Sequence, residues 1–191
     1  MLSFTRNLPL TREAVAFARR HHRGQRRSAD GAPFLIHPLE VASLLERSHY
    51  PDPVVAAAVL HDVIEDTDAD RTELAGRFGD EVAELVSLLS DDPAIEDEEE
   101  RKDAVRARVR EAGGYALAIY AADKVSKVRE LRLQASAGDD AAGLERRIAR
   151  HRKSLRMLEA ELPGSRLVEL LRFELEALDA LPPAAIHGRE R

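Results

Sequence analysis

The sequence contains no cysteine, and aromatic residues make up only 4% of its 191 residues. Without cysteine there is no disulfide framework and no thiolate chemistry, which is compatible with a reducing compartment. No segment approaches the ~18 consecutive apolar residues of a transmembrane helix, and residues 1–6 lack the apolar core of a secretory signal. These absences predict a soluble, cytoplasmic protein without a membrane partner.

Basic residues are outnumbered, with 29 Lys and Arg against 35 Asp and Glu and a net charge of −6. An acidic balance argues against general nucleic-acid binding, because the phosphate backbone attracts positive charge. The charge is also uneven, since residues 19–27 are basic and residues 91–100 are acidic. We therefore expect no nucleic-acid partner, and we expect the charged segment 91–103 to be a mobile loop or a solvated helix.

Helix-forming residues dominate what is present. Ala, Leu, Glu and Arg are abundant, and nearly every periodic segment has the spacing of a helix. A chain of this length supports one well-buried core. The sequence predicts an all-α protein of roughly eight to ten helices, with a single domain over 1–181 and a disordered tail over 182–191.

Capping and helix-breaking residues predict where these helices begin and end. The first helix is predicted to be capped by Thr11 and to end near His22, and the second to start near Pro38. Three more caps are predicted at Asp52, Asp70 and Asp80, and further helices over 115–131, 141–162 and 165–181. Between them, residues 24–33 are predicted to form a loop and residues 135–140 a linker of small residues.

The most informative segment follows the apolar run 54–60. Within six positions it holds four side chains suited to metal ligation or acid–base chemistry: His61, Asp62, Glu65 and Asp66. On a continuous helix all four would share one face. Charged groups beside a core segment are costly to bury unless they are paired or bound to a metal. The segment therefore predicts a cation site.

Adjacent residues of one helix rarely ligate the same ion, so His61 and Asp62 need partners from other helices. Two candidates are His37, at a junction between a loop and a helix, and Asp123, next to the apolar stretch 116–122. Two histidines and two aspartates form a mixed nitrogen and oxygen donor set that suits Mn²⁺, Fe²⁺ or Zn²⁺. A site of this kind with positions open to water can activate water and polarise a phosphoryl oxygen.

Three segments match a known pattern: residues 24–27 (GQRR), 31–42 (GAPFLIHPLEVA) and 61–67 (HDVIEDT). Together with Asp123 they resemble the H…HD…D signature of the HD phosphohydrolase superfamily. The resemblance is closer to the hydrolase domain of RelA/SpoT proteins and to the stand-alone small alarmone hydrolases. It is clear over about residues 12–131 and looser over the last two predicted helices.

The resemblance implies an HD-domain helical bundle and a Mn²⁺-dependent hydrolase that removes the 3′-pyrophosphate of guanosine tetra- or pentaphosphate (ppGpp or pppGpp). A small-molecule nucleotide is then the partner, and a homo-oligomer is an open possibility. The resemblance assigns metal ligation to His37, His61, Asp62 and Asp123, and the orientation or deprotonation of water to Glu65 and Asp66. It assigns phosphate contacts to Arg26 and Arg27. Lys124 and Lys127 are expected to form either salt bridges or contacts with the substrate.

Two departures from the family pattern occur at positions where the family contacts its substrate. Lys127 stands where the family carries asparagine, and the acidic run 91–100 replaces a segment in which the family has a lysine. The metal set is intact, so the departures bear on the identity of the substrate more than on hydrolysis. The alternatives are a hydrolase for another phosphorylated nucleotide such as NADPH, and a non-catalytic domain that binds a nucleotide and signals through a partner.

The remaining histidines are given ordinary structural roles. His21 and His22 end a predicted helix, where a cation suits the helix dipole. His49, His151 and His187 are expected at the surface. None of the five is placed in the predicted site.

Overall fold

The computed structural model describes residues 3–137 and 141–181, which form helices joined by turns and short loops. After a short 3-10 turn at Ser3–Thr5, the helices are α1 (Pro9–His21), α2 (Ile36–Arg47), α3 (Asp52–Leu60), α4 (Val63–Asp66), α5 (Arg71–Phe78), α6 (Asp80–Leu89), α7 (Glu98–Ala112), α8 (Gly114–Ala137), α9 (Ala141–Glu161) and α10 (Arg166–Asp179). Within these described ranges, extended structure is limited to one isolated bridge between Arg26 and Pro33. The predicted all-α class and the predicted number of helices are confirmed.

Some predictions concern parts of the chain that lie outside the described residues. These are the linker at 138–140 and the tail at 182–191, which includes His187. The assignment of one domain to residues 1–181 stays a prediction. In the described part of the chain, none of the helices combines the length and the apolar character needed to cross a bilayer.

Helix α3 forms the centre of the core. Its residues from Val54 to Leu60 are all fully buried, because α1, α2, α6 and α8 pack around it. A helix that is apolar on every side is stable only when it is buried. The C-terminal end of α3 therefore delivers the next two residues, His61 and Asp62, into the interior.

Helix α8 brings a second set of polar groups into the core. Its residues 116–122 are buried, and Asp123 and Ser126 are buried with them. The helix packs against α2, α3 and α10. It therefore carries Asp123 to the same region of the interior as the end of α3.

The start of α1 is capped by a residue from a different helix. The predicted cap at Thr11 is wrong, because α1 begins at Pro9 and Thr11 is buried in its first turn. The carboxylate of Asp52 accepts hydrogen bonds from the backbone N–H groups of Leu10 and Thr11, each at 2.9 Å. It also accepts one from Thr11 Oγ1 at 2.6 Å. Asp52 therefore caps α1 instead of its own helix and links α1 to α3.

The next two predicted caps have different outcomes. Asp70 caps α5 as predicted, since its carboxylate accepts a hydrogen bond from the N–H of Glu73 at 2.8 Å. Gly79 ends that helix with a φ of 90°, a value that favours glycine. Asp80 is the first residue of α6 and makes no side-chain cap, which corrects that prediction.

The charged segment 91–103 divides into a loop and the first turns of α7. Asp97 caps α7 by accepting a hydrogen bond from the N–H of Glu100 at 2.9 Å. Two other helix boundaries also differ from those predicted from the sequence. Helix α2 begins at Ile36, so that His37 lies inside its first turn, and α8 extends to Ala137, beyond the predicted start of the linker.

Candidate metal centre

The helical segment that carries the predicted metal ligands is interrupted at the ligands themselves. Helix α3 ends at Leu60, His61 and Asp62 form a turn, and the short α4 follows. This corrects the expectation of one continuous helix face for the four polar residues of the segment. His61 and Asp62 are buried, whereas Glu65 and Asp66 are exposed. Both turn residues keep right-handed helical backbone angles, and the side chain of each reaches the same cluster.

The four predicted ligands meet in one buried cluster formed by α2, α8 and the turn after α3. His37 Nε2 lies 3.2 Å from His61 Nε2 and 3.2 Å from Asp123 Oδ1. Asp62 places Oδ2 3.4 Å from His37 Nε2 and Oδ1 3.2 Å from His61 Nε2. Ligand atoms about 2.1 Å from one tetrahedral metal lie about 3.4 Å apart. The spacing therefore fits a shared ion.

The tautomer of His61 is set by the backbone. His61 Nδ1 lies 2.8 Å from the carbonyl oxygen of Ala58. Because a carbonyl oxygen can only accept, Nδ1 carries the proton, and in the neutral ring Nε2 keeps its lone pair. That lone pair faces the cluster.

The same tautomer is set in His37 by two side chains. His37 Nδ1 lies 2.9 Å from Ser126 Oγ, and the Ser126 hydroxyl donates to Glu40 Oε2 at 2.7 Å. Since the single hydroxyl proton is used on Glu40, His37 Nδ1 must be the donor to Ser126 Oγ. His37 Nε2 then faces the cluster as an electron-pair donor, which is the arrangement of a metal-binding histidine.

The cluster holds more electron-pair donors than the protein satisfies. Two imidazole Nε2 atoms face each other at 3.2 Å, and Asp123 Oδ1 is buried without accepting a hydrogen bond of good geometry. Buried polar atoms in this state are destabilising unless something else binds them. Two nitrogen and two carboxylate donors suit a divalent first-row metal. The donor atoms of His37, His61, Asp62 and Asp123 fit such an ion, and their assignment as its ligands stays a prediction.

Charges around the cluster act in opposite directions on two of the predicted ligands: they favour the metal-binding carboxylate of Asp123 and the protonated ring of His61. Burial by itself raises the pKa of Asp123, but Lys124, Lys127 and the two imidazoles more than offset this and hold that pKa well below its usual value. Lys124 Nζ is 2.6 Å from Asp123 Oδ2, and Lys127 Nζ is 3.2 Å from Oδ1. Burial lowers the pKa of His61, but Asp62 and Asp123 outweigh it and raise that pKa. A proton and a metal therefore compete for the His61 ring.

Glu65 and Asp66 lie one turn beyond the ligands, on α4. Among the described residues, His37, His61 and Asp123 place ligand atoms within 4.8 Å of one another, and Asp62, Glu65 and Asp66 lie outside this group. Asp62 is nevertheless 3.2 to 3.4 Å from the two imidazoles. Glu65 Oε2 accepts a hydrogen bond from the backbone N–H of Asp91 at 3.2 Å. Asp66 is exposed as a residue, but partial burial of its carboxyl group, together with the negative charges of Asp62 and Glu65, raises its pKa to about 6. A carboxyl group with such a pKa can exchange a proton near physiological pH.

The four predicted phosphate-contacting residues lie in two places. Lys124 and Lys127 line a cavity beside the metal centre. Arg26 and Arg27 make a hydrogen bond and an ion pair within the loop 24–33, and neither lines that cavity. The contact of these four residues with phosphate stays a prediction.

The cavity has a volume of about 280 Å³ and opens beside the cluster, with His61, Asp62 and Asp123 in its wall. The basic residues of its wall are Lys102, Arg106, Lys124, Lys127, Arg147 and Arg150. Four polar atoms of wall residues are buried without a hydrogen-bond partner: Arg106 Nη2, Asp123 Oδ1, Gln134 Oε1 and His151 Nδ1. Its acidic wall residues are Asp62, Glu65, Asp91, Asp123 and Glu130. The cavity therefore offers a wall of mixed charge, with cations in slight excess, and unsatisfied polar atoms to a polar ligand.

Sequence reasoning missed Lys102, which brings a cation to the cavity from the first turns of α7. Lys102 Nζ is 2.7 Å from Asp91 Oδ2 and 3.8 Å from Glu65 Oε1. The acidic run 91–100 therefore does not leave this side of the cavity without positive charge. No sequence signal distinguishes Lys102 from its charged neighbours, because the charged segment has no apolar period.

His151 is buried in the cavity wall, so the prediction of a surface position is wrong. Burial, followed by the positive charge of Lys124, lowers the pKa of His151 to about 3, and the ring is neutral at physiological pH. A signal for this position exists in the sequence. His151 follows Leu144 and Ile148 at the spacing of three to four residues that defines the inner face of a helix.

His22 is also buried, where the sequence predicted a cation at a helix end. Burial lowers its pKa, which disfavours the charged ring. His22 Nδ1 lies 2.6 Å from Gln25 Oε1, and Gln25 Nε2 donates to the carbonyl oxygen of Asp66 at 2.9 Å. These contacts connect the end of α1 to the segment that carries the predicted catalytic residues.

The fold and the site define a class: helical proteins in which histidine and aspartate side chains from separate helices meet in a buried metal centre. A sequence model described as the HD domain matches residues 14–151, which is more than half of the chain. The chain belongs to the HD domain family. This confirms the resemblance found in the sequence, and a divalent metal ion is the cofactor that the family implies.

Two relatives illustrate the range of the similarity. The chain is 44% identical over 84 residues to the GTP pyrophosphokinase rsh of Brucella melitensis, a match that covers 44% of this chain and 11% of that protein. It therefore spans about a tenth of the length of that relative. The chain is also 37% identical over 122 residues to the human guanosine-3′,5′-bis(diphosphate) 3′-pyrophosphohydrolase MESH1, covering 62% of this chain and 68% of that protein.

Solved structures include a neighbour that matches over nearly the full length. It is a metazoan ortholog of SpoT, described as hydrolysing ppGpp and as having a role in starvation responses. The two chains share a TM-score of 0.79 and 26% sequence identity, over 91% of this chain and 97% of the other. The similarity extends past the residues that match the HD domain model.

Proposed function

We propose that this chain is a metal-dependent hydrolase that removes the 3′-pyrophosphate of ppGpp or pppGpp. The observation that carries the proposal is the buried cluster of His37, His61, Asp62 and Asp123. All of these except His37 also line a cavity whose wall holds six basic side chains. Relatives support the choice of substrate, because human MESH1 is named as the hydrolase for this nucleotide and this chain covers 68% of it.

We further propose that Mn²⁺ is the metal and that the four cluster residues hold it. His37 and His61 contribute Nε2, and Asp62 and Asp123 contribute carboxylate oxygens. When bound, the ion supplies positive charge that polarises a phosphoryl oxygen and acidifies water. The proposal places the protein in the cytoplasm, with the nucleotide as its small-molecule partner and without nucleic-acid or membrane partners.

Glu65 and Asp66 are proposed to handle the attacking water. The water oxygen forms a bond to the phosphorus attached to the 3′ oxygen, and the bond between that phosphorus and the 3′ oxygen breaks. A carboxylate accepts the proton that the water loses, and the 3′ oxygen leaves with a proton, so that the products are GDP (or GTP) and pyrophosphate. The position of the pair, one turn beyond the ligands, suits this role because neither residue is needed to hold the metal.

The basic wall is proposed to neutralise the phosphates. Lys124 and Lys127 are next to the metal ligands, and Arg26 and Arg27 lie on the loop 24–33 near the wall residue Ser28. A nucleotide that carries two pyrophosphate groups needs several cations at once. Lys102 and Arg106 extend the basic surface away from the metal centre.

The proposal is tested by incubating the purified chain with ppGpp and Mn²⁺ and separating the products by ion-exchange chromatography. We expect GDP and pyrophosphate in equal amounts. A matched sample treated with a chelator should show no turnover. Absence of turnover in a sample with demonstrably bound Mn²⁺ would contradict the proposed activity.

A second candidate keeps the chemistry and changes the nucleotide. It is favoured by Lys127, whose ammonium group lies 3.2 Å from Asp123 Oδ1 where the family pattern has an amide. Phosphate release is therefore measured over a panel of phosphorylated nucleotides that includes NADPH. The nucleotide with the highest kcat/KM is the preferred substrate, and a value for NADPH above that for ppGpp would replace the first candidate.

Acid pH is expected to reduce kcat through protonation of Asp66. Burial and the negative charges of Asp62 and Glu65 raise the pKa of this carboxyl group to about 6, so the group loses its ability to accept a proton as the pH falls through that value. A bound cation lowers this pKa, which places the acidic limb of the profile at or below about pH 6.

The measurement is kcat against pH at saturating Mn²⁺ and substrate, with metal occupancy checked at each pH. The variant Asp66→Asn should lose most of the rate, and its residual rate should lack the acidic limb. A limb that persists unchanged in Asp66→Asn would assign the titration to another group.

A further inference from the structure

The metal ligand His37 is connected to α10 by a continuous chain of hydrogen bonds. We propose that Ser126, Glu40 and Glu174 are positioning residues that hold His37 in its metal-binding tautomer, and that α10 thereby contributes to metal affinity. The inference rests on the proposed metal site. It assigns a role to three residues that lie outside the predicted site and, in the case of Glu174, outside the matched range 14–151.

The first link is the contact between His37 and Ser126. The two atoms lie 2.9 Å apart, and both residues are buried. Ser126 uses its only proton on Glu40 Oε2 at 2.7 Å. Its oxygen can therefore act only as an acceptor towards the histidine. If the hydroxyl is removed, His37 Nδ1–H loses its acceptor, and nothing in this link then favours the proton on Nδ1 over Nε2.

The second link fixes Glu40. Arg129 Nη1 donates to Glu40 Oε1 at 2.7 Å, so each carboxylate oxygen of Glu40 accepts one hydrogen bond, from Arg129 and from Ser126. A carboxylate held at both oxygens has little freedom to rotate. The orientation of Glu40 therefore determines where the Ser126 hydroxyl points.

The third link reaches α10. Arg129 Nε donates to Glu174 Oε1 at 2.7 Å, and Arg132 Nη1 donates to Glu174 Oε2 at 2.8 Å. Glu174 is only 4% exposed, and a carboxylate is rarely buried to this extent unless it is paired. Arg129 thus stands between two carboxylates, and the position of α10 against α8 sets the position of Arg129.

Helix α8 contributes both a predicted metal ligand, Asp123, and a residue that supports another ligand, Ser126. Asp123 and Ser126 are three positions apart, so they lie on the same helix face. Asp123 faces the imidazoles directly, and Ser126 supports one of them from behind. Arg129 and Arg132 continue the same spacing towards α10. Packing of α8 against α2 and α10 therefore determines the geometry of the metal centre.

The test is the affinity of the full chain for Mn²⁺, measured by calorimetry on metal-stripped protein. Loss of a hydrogen-bond partner behind a metal-binding histidine typically weakens metal affinity by about 10–100-fold. We expect a weakening of that order in Ser126→Ala. The metal-free protein should still unfold cooperatively, at a somewhat lower melting temperature, because His37 Nδ1–H and Glu40 Oε2 each lose a buried partner. Ser126→Thr keeps the hydroxyl and should restore most of the affinity.

Two further variants test the longer links. Glu40→Gln removes the charge that Arg129 and Ser126 share and should weaken Mn²⁺ binding in the same direction. Glu174→Gln should have a smaller effect of the same sign, because it acts through Arg129. Ser87→Ala is the matched control, since the Ser87 hydroxyl bonds to its own helix at Ala83 O, 2.8 Å away, and its removal should leave the affinity unchanged.

The outcomes separate this inference from the proposed function. Wild-type affinity in Ser126→Ala would overturn the positioning role and leave the metal site intact. Equal losses in Ser126→Ala and Ser126→Thr would also overturn it, because the hydroxyl would then not be the operative group. Failure of the unmodified chain to bind Mn²⁺ would instead contradict the proposed metal site itself.

Discussion

Replacing Asp123 by asparagine is expected to abolish Mn²⁺ binding and, with it, turnover. Loss of a residue behind a ligand already weakens affinity by about 10–100-fold, and loss of a charged ligand should exceed that range. Asp123 Oδ1 lies 3.2 Å from His37 Nε2 and 3.5 Å from His61 Nε2. Asparagine keeps the shape of the side chain and removes the negative charge, so the change tests the charge directly.

The measurement combines calorimetry with metal analysis of the purified protein and thermal unfolding with and without Mn²⁺. An ion that binds only the folded chain stabilises it by about 2.7 kcal/mol at a concentration of 100 Kd. The unmodified chain should therefore melt at a higher temperature when Mn²⁺ is added, and Asp123→Asn should not.

A matched control is Glu159→Gln, which neutralises a carboxylate in the ion pair with Arg172 on α9 and α10. Ion pairs of this partly exposed kind contribute little to stability, and we expect unchanged metal binding. Full metal occupancy in Asp123→Asn would show that the ion is held by a different set of ligands.

Glu65→Gln is expected to keep Mn²⁺ affinity and to lower kcat by about 10²–10⁴-fold. Glu65 is exposed and lies one turn from the cluster, so the metal should not depend on it. Glutamine has the same shape and can still accept the hydrogen bond that the N–H of Asp91 donates. The change therefore removes one of the two proposed proton acceptors while leaving the loop contact in place.

The measurements are kcat at saturating Mn²⁺ and the affinity of the same sample for the metal. Glu84→Gln on α6 is the matched control, because Glu84 is an exposed partner of Arg71 far from any assigned role. A kcat for Glu65→Gln equal to that of the unmodified chain would contradict the catalytic assignment. Tight nucleotide binding without turnover in either protein would favour the non-catalytic binding domain.

Much of the fold was predictable because helices are encoded locally. The apolar run 54–60 predicted a buried helix, and α3 is buried along that whole run. Asp70 capped α5 as predicted because the residue it binds lies three positions away. The cap of α1 was not predictable in this way, since Asp52 is 41 residues from Thr11 and reaches it only after α1 and α3 pack together.

The candidate metal site was likewise predictable only in part. The ligand candidates could be chosen from the sequence because charged residues beside apolar segments must be satisfied when they are buried. Helical geometry alone did not explain how His61 and Asp62 face one point, because the turn after Leu60 arises where α3 ends. His151 and Lys102 entered the cavity wall through the packing of α9 and α7 on the rest of the chain.

By itself, the sequence determined the helical class, the choice of His37, His61, Asp62 and Asp123 as candidate ligands, and the family to which they pointed. Each of these depends on residue types and short spacings. The tertiary structure alone decided which nitrogen of each imidazole faces the cluster and which groups support it. His37 and Ser126 are 89 positions apart, and no local rule relates them. Their contact exists because α2 and α8 pack against each other, and burial then makes each remaining hydrogen bond between them costly to leave unmade.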